Sequence, residues 1–309
     1  MNSLPKATHS IPGAVYGVVS TDILEDILVD LAKENEERLA NLSEYAGSFK
    51  HQKVIELVFL LSELWCQDSS TKYQAVEILD RFMILHIEEM YNSTAESKKE
   101  VEASHCRTWN SIKSSLCDTF MLRIVSCVQI ASKLYFHCHI INNNAVLQFL
   151  KSAGCTYNKV EVLESELTVL KTLKFRINHL SPFTYVEMLL EVLGHNGSTV
   201  SLKDFRDMCI KVMDLVYLLR NPIYDMLLKA SVDLSTPSDL QRTKFVSVKE
   251  DQMLLATGVI ATSAYILIQG SWNEVLDHLQ CITGITVSST FEISSVILKQ
   301  CVGVTDLIK

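Results

Sequence analysis

Apolar positions recur at three- and four-residue intervals in one segment after another, and no segment alternates with period two. Residues 21–40 carry Leu24, Ile27, Leu28 and Leu31 on one stripe opposite an acidic face, with Asp22 as the expected N-cap and Glu25 as its capping-box partner. Residues 51–66 place Val54, Ile55, Val58, Leu61, Leu64 and Trp65 on one wide face, and residues 71–87 repeat Tyr73, Val76, Leu79 and Phe82 at threes. Residues 88–116 are polar, mixed in charge and poor in periodicity, which predicts an inserted loop with a helical end around Trp109 to Leu116. Helices are predicted again over 122–136, 142–154 and 158–175, and after a break at Ser181-Pro182 over 183–193, 202–219 and 223–232. A polar loop over 235–245 leads to helices over 248–268, 272–280 and 288–301.

Two of these helices are apolar nearly all round, and they align. "SCVQIASKLYF" from Ser126 can be laid over "TGVIATSAYIL" from Thr257, and each is followed by an amphipathic helix, "LESELTVLKTLKF" and "STFEISSVILKQC". The expected architecture is all-α: an N-terminal segment and helix (1–45), a first domain (46–178, with the inserted loop 88–116) and a second, divergent domain of similar plan (179–309).

The overlay isolates two charges. Lys133 falls opposite Ala264, so the helix does not need a cation there. In the following helix Leu163, Leu167, Leu170 and Leu173 form the expected core stripe, with Glu166 on or beside it, while its counterpart lies near the apolar Ile297. An unpaired half-buried charge is costly, so Lys133 and Glu166 are expected to approach each other. Pattern alone also allows Lys133 to snorkel to solvent and Glu166 to be a rim residue.

Composition narrows the function. The chain has 309 residues, 48% of them apolar, with 10 Gly and 5 Pro, which suits long helices and substantial cores. A net charge of −8 disfavours direct nucleic-acid binding. Nine cysteines at irregular spacing, without a CxxC, suit reduced thiols in the cytosol or nucleus. The N-terminus lacks the pattern of a secretory signal, and the uncharged stretch 252–273 is diluted by Thr, Ser, Gly and Gln, as in a core helix rather than a membrane span. His137, Cys138 and His139 are adjacent and lack the spacing of a metal site, and KEN at Lys33 to Asn35 falls on a predicted helix face. No P-loop, dinucleotide fingerprint, nucleophile elbow or kinase signature occurs, so neither catalysis nor a cofactor is expected.

The segments also resemble a family. "TKYQAVEILDRFM" (71–83) is similar to the second helix of a cyclin box, "CVQIASK" (127–133) to its central third helix, and "LESELTVLKTLKFRI" (163–177) to its fifth. The resemblance covers nearly the whole chain from about Thr21, apart from two insertions, and implies two tandem cyclin-box-like five-helix domains in a protein that binds a cyclin-dependent kinase. The lysine and glutamate with which cyclins hold the activating helix of that kinase match Lys133 and Glu166. An ammonium can donate to carbonyls at a helix C-terminus, and a carboxylate can accept from backbone amides. Leu122 matches a leucine of the third helix and Asp80 the aspartate of the second.

The departures are equally specific. Where cyclins pair that aspartate with an arginine this chain has His51, so a His51–Asp80 pair would depend on pH. Leu134, Tyr135 and Phe136 replace the acidic residues that follow the lysine, which implies a more apolar partner-facing rim. The substrate-docking patch would fall at Lys50, Val54 and Leu57, where cyclins carry larger apolar residues. "VFLLSELWC", "RIVSCVQIASKL", "KFVSVKEDQMLLATGVIATSA" and "LQCITGIT" further resemble a meiotic branch of the family. That resemblance implies a nuclear role in maturing crossover intermediates, with meiotic recombination proteins as further partners. The alternative it leaves is a scaffold of the same fold that assembles recombination factors without activating a kinase.

Overall fold

The computed structural model describes residues 16–17, 19–96, 103–135, 141–195, 202–232 and 236–302, and every regular element among them is helical. In chain order these are α1 (Thr21–Ala40), α2 (Gln52–Leu64), α3 (Ser69–Glu96), α4 (Ala103–Leu134), α5 (Asn143–Ser152), α6 (Lys159–Thr172) and α7 (Pro182–His195). They continue as α8 (Leu202–Leu218), α9 (Arg220–Val232), α10 (Asp239–Lys244), α11 (Val246–Glu250), α12 (Gln252–Leu267), α13 (Trp272–Thr283) and α14 (Val287–Val302). The chain is all-α, as its periodicity predicts.

Three local expectations need correction. Residues 88–116 are not a loop: α3 runs on to Glu96 and α4 begins at Ala103, so most of the segment extends two helices that pack on each other. The segment is polar, but it contains no Gly or Pro to stop either helix. Residues 235–245 include α10, opened by a capping box in which Ser238 and Gln241 satisfy each other's backbone amides. Asp22 does not cap α1, whose first bond runs from the Leu24 amide to the Ser20 carbonyl. Its carboxylate lies in the first turn, where the helix dipole favours it.

The chain forms two compact units, each discontinuous in sequence. One comprises residues 37–184 and 214–252, the other the residues up to Glu36 with 185–213 and 253 onward. In the first, α4 is the central helix and packs against α2, α3, α5 and α6. Its Ile124, Val125, Cys127, Val128, Ile130 and Ala131 are buried, which explains the nearly all-round apolar sequence there. Trp109–Leu134 is long and apolar enough by composition to cross a membrane, and half of that window is buried inside the protein. Tyr73 anchors an aromatic cluster, with ring centroids 5.8 Å from Phe59, 5.3 Å from Phe183 and 5.1 Å from Tyr217. Its hydroxyl donates to Asp214 at 2.7 Å.

In the second unit α12 is the buried helix. A Cβ at Gly258 would meet Ile293 Cγ2 at 2.7 Å, so glycine lets α12 approach α14 closely. Trp272 Nε1 donates to the Ala261 carbonyl at 2.9 Å, and the Trp272 ring meets Tyr265 and Phe291. Thr262 and Ser263 turn their hydroxyls back to the carbonyls of Gly258 and Val259, so these buried polar groups are satisfied inside their own helix.

Candidate functional site

The seam between α4 and α6 is polar. Asn158 opens α6 with a capping box closed by Glu161, which fixes where the helix begins and which residues face α4. Arg123, Ser126 and Lys133 lie on one side of α4, three and then seven residues apart. Arg123 Nη1 donates to Ser165 Oγ at 2.9 Å, Ser126 Oγ donates to the same oxygen at 2.7 Å, and Lys133 Nζ donates to Glu166 Oε1 at 2.5 Å. The expected Lys133–Glu166 approach is therefore present.

The pair sits at an edge. The Lys133 side chain is 45% exposed and that of Glu166 8%. Each makes one bond, so the ammonium keeps two donors and the carboxylate one oxygen for another molecule. A half-exposed pair adds little stability, about 0–1 kcal/mol. Removing Lys133 would nonetheless strand a mostly buried carboxylate.

The expected phase of α6 is wrong. Val162, Ser165, Glu166, Val169 and Thr172 face inward, while Leu163 and Leu167 are 44% and 43% exposed and Val160 is exposed beside them. Both sets have helical spacing, and the one with hydrogen-bond partners on α4 turns inward. The result is an exposed apolar strip next to the ion pair. α6 ends in two consecutive left-handed residues, Lys174 (φ 51°) and Phe175 (φ 58°), whose amides donate to the Lys171 and Leu170 carbonyls. Phe175 is 63% exposed.

The other candidates fare unevenly. Leu122 is 5% exposed and belongs to the core, so it is not available to a partner. Leu134 and Tyr135 are half-buried at the end of α4, while Phe136 and the His137–Cys138–His139 run lie outside the described residues. The His51–Asp80 pair does not form. Asp80 accepts from the backbone amides of Gly47 and Phe49, both at 2.8 Å, because the turn before α2 folds over it, and His51 is exposed. The neighbouring Lys50 turns inward instead, so it cannot contribute to a docking patch, and Val54 and Leu57 are half-buried. Asn35 of the KEN sequence is buried on α1. Among the described residues no group of three His, Cys, Asp or Glu side chains could hold a metal ion.

Lys50 leads to a feature that periodicity missed. Its ammonium bonds Glu77 and Glu250, both at 2.9 Å, inside the first unit. Arg220 pairs with Glu250 at 2.5 Å, and Arg38 reaches Glu77 at 3.4 Å, Glu250 at 3.2 Å and the Glu250 carbonyl. Tyr217 donates to Glu77 Oε1 at 3.0 Å. Burial alone would raise the Glu77 carboxyl, but Lys50 and Arg38 hold it down at about 2. Glu250 is also lowered, by Lys50 and Arg220 against its burial, whereas burial of Asp80 outweighs Lys50 and raises that carboxyl. This cluster joins the end of α1, the turn before α2, α3, α8, α9 and α11, and so ties residues 214–252 to residues 37–184. It was discoverable at Glu77, a charge flanked by apolar residues in "QAVEILDRF".

No family model matches the chain. Cyclin N-terminal domain-containing protein 1 of Mus musculus is 48% identical over 288 residues, covering 93% of this chain and 86% of that protein. Its counterpart in Homo sapiens is 49% identical over 288 residues, covering 93% and 87%.

Proposed function

The chain belongs to the family of cyclin N-terminal domain-containing protein 1, and from that premise we propose that it is a non-catalytic, cyclin-like regulatory protein that binds a cyclin-dependent kinase in the nucleus during meiotic crossover maturation. The observation that carries this reading is the Lys133–Glu166 pair at the exposed edge of α4 and α6, beside Val160, Leu163 and Leu167. The remaining ammonium donors suit carbonyls at the end of a partner helix, and the remaining carboxylate oxygen suits an amide. The exposed aliphatic strip supplies the area such polar contacts need around them.

The test is a charge swap. Lys133→Glu with Glu166→Lys keeps an ion pair in the seam and reverses what a partner meets. Co-expressed with a panel of cyclin-dependent kinases, the swapped protein should remain folded by circular dichroism and fail to co-purify with the kinase that wild type retains. Equal retention by both proteins would remove the basis of the reading.

A second reading, a scaffold for recombination factors without kinase activation, is favoured by the exposed Tyr91 and Trp109 on the helical extensions of α3 and α4. Tyr91→Ala with Trp109→Ala should then lose recombination factors and keep the kinase. Unchanged capture of those factors counts against it.

A further inference from the structure

The outer face of α6 changes character along its length. Its first half exposes Val160, Leu163 and Leu167, and the same side then exposes Lys171 and Lys174, four and seven residues beyond Leu167. Phe175 and Arg176 follow, both exposed. None of Lys171, Lys174 and Arg176 makes an ion pair or a side-chain hydrogen bond among the described residues. No carboxylate occurs in the chain between Glu166 and Glu187. Arg81 of α3 adds a fourth cation, its guanidinium donating to the Arg176 carbonyl at 3.1 Å. The nearest carboxylate seen is Glu89, which accepts from Thr172 Oγ1 at 3.2 Å.

The local field is therefore positive on a chain whose net charge is −8. His179 registers it: burial, then Arg81, Arg38 and Arg176, push its imidazole down to about 4. The dipole of α6 accounts for a cation at Lys171, but Arg176 and Arg81 lie outside the helix. Lys174 and Phe175 hold left-handed backbone that glycine would adopt without strain, so the turn keeps a cation and an aromatic ring at the surface against local preference.

We propose that this face recognises an amphipathic helical segment of its protein partner, with apolar side chains over Val160, Leu163 and Leu167 and carboxylates over Lys171, Lys174 and Arg176. The proposal rests on the kinase-binding reading of the same site and adds a direction: the acidic end of the segment points toward the C-terminal end of α6. Aliphatic contact alone would let the segment lie either way along the strip, and the charges select one orientation.

The experiment compares wild type with three variants, each shown by thermal melting to be folded, using the kinase that wild type retains. Lys171→Glu/Lys174→Glu/Arg176→Glu should weaken binding about tenfold or more, since three attractions become repulsions. It should also remove the loss of affinity that wild type shows as salt rises from about 0.1 to 0.5 M. Leu163→Ala/Leu167→Ala should weaken binding while leaving the salt dependence in place, and Glu166→Lys should abolish binding. If Glu166→Lys abolishes binding but the triple reversal changes neither affinity nor salt dependence, the acidic partner is wrong and the site stands. If wild type binds no kinase, both readings fall. If the triple reversal loses only binding to a duplex oligonucleotide, the cations serve nucleic acid and the proposal is overturned.

Discussion

Two helix seams, one in each unit, are built from similar sequence and carry opposite chemistry. Where α4 meets α6, Arg123, Ser126 and Lys133 bond Ser165 and Glu166. Where α12 meets α14, Ala264, Ile293 and Ile297 are buried and the inward face of α14 carries no charge, with Glu292 turned to solvent. The second seam is held by packing: a glycine at closest approach and a tryptophan bonded to a backbone carbonyl. A helical seam in this chain can thus be made without ions. The ions of the first add little stability, which leaves recognition as their reason for being there.

The strongest way to break the comparison is to carry the charge across. Ala264→Lys would place an ammonium at a fully buried position with no acid on the facing helix. The expected cost is roughly 3–5 kcal/mol, by analogy with a buried pair stripped of one partner. Chemical denaturation should show the loss, and hydrogen exchange should locate it in α12 and α14. A cost below about 1 kcal/mol would mean that the second seam opens easily enough to hydrate a charge.

Next in size is acid. Glu77 is held at about 2 in the fold against an ordinary 4.5, so its contribution is present above about 4.5 and lost as pH falls from there toward 2. Glu250, lowered too, acts in the same direction. His179, pushed to about 4 from 6.5, stabilises the fold above 6.5 and loses that contribution between 6.5 and 4. Asp80 opposes them, because its raised carboxyl favours the fold at low pH and less so as pH rises through its folded value. The first unit should therefore lose exchange protection below pH 6.5 and steeply below 4.5, before α12 and α14 do. Simultaneous loss would mean that the buried cluster does not govern acid unfolding.

What the sequence could reveal followed from contrast. Lys133 and Glu166 were legible because each stands against an apolar background and an apolar counterpart in the other half. The phase of α6 was not, since the Leu163–Leu167–Leu170–Leu173 set and the Val162–Glu166–Val169 set are equally helical, and only the partners on α4 decide between them. The extensions of α3 and α4 were hidden because polarity suggested a loop, while the absence of Gly and Pro carried the better signal. The buried cluster could not be assembled from pattern, because Lys50 and Glu250 are 200 residues apart. The aspartate was assigned the wrong neighbour by a single position: Lys50 turns inward and His51 does not.

A smaller change sharpens the packing side of the comparison. Gly258→Ala would bring its methyl group within 2.7 Å of Ile293 and force α12 and α14 apart or Ile293 into another rotamer. Overpacking of this kind costs about 1–3 kcal/mol. Ile293→Val in the same chain should recover part of it, read as the midpoint of thermal unfolding. No recovery would show that the strain lies elsewhere than at this contact.

The smallest expected effect is the most informative. Lys133→Ala makes the first seam resemble the second at one position. Half of the lysine side chain is already in water, and Glu166 keeps a solvent-facing edge, so stability should change by no more than about 1 kcal/mol. Kinase capture should fall far more than that, because the partner loses its cation and meets a carboxylate without one. Seams that exist to hold helices together predict the reverse: a large loss of stability and a proportionate loss of binding. Measuring the melting midpoint and the kinase affinity on the same preparation separates the two, and Lys133→Arg, which keeps the charge, should retain most of the affinity if the cation is what the partner reads.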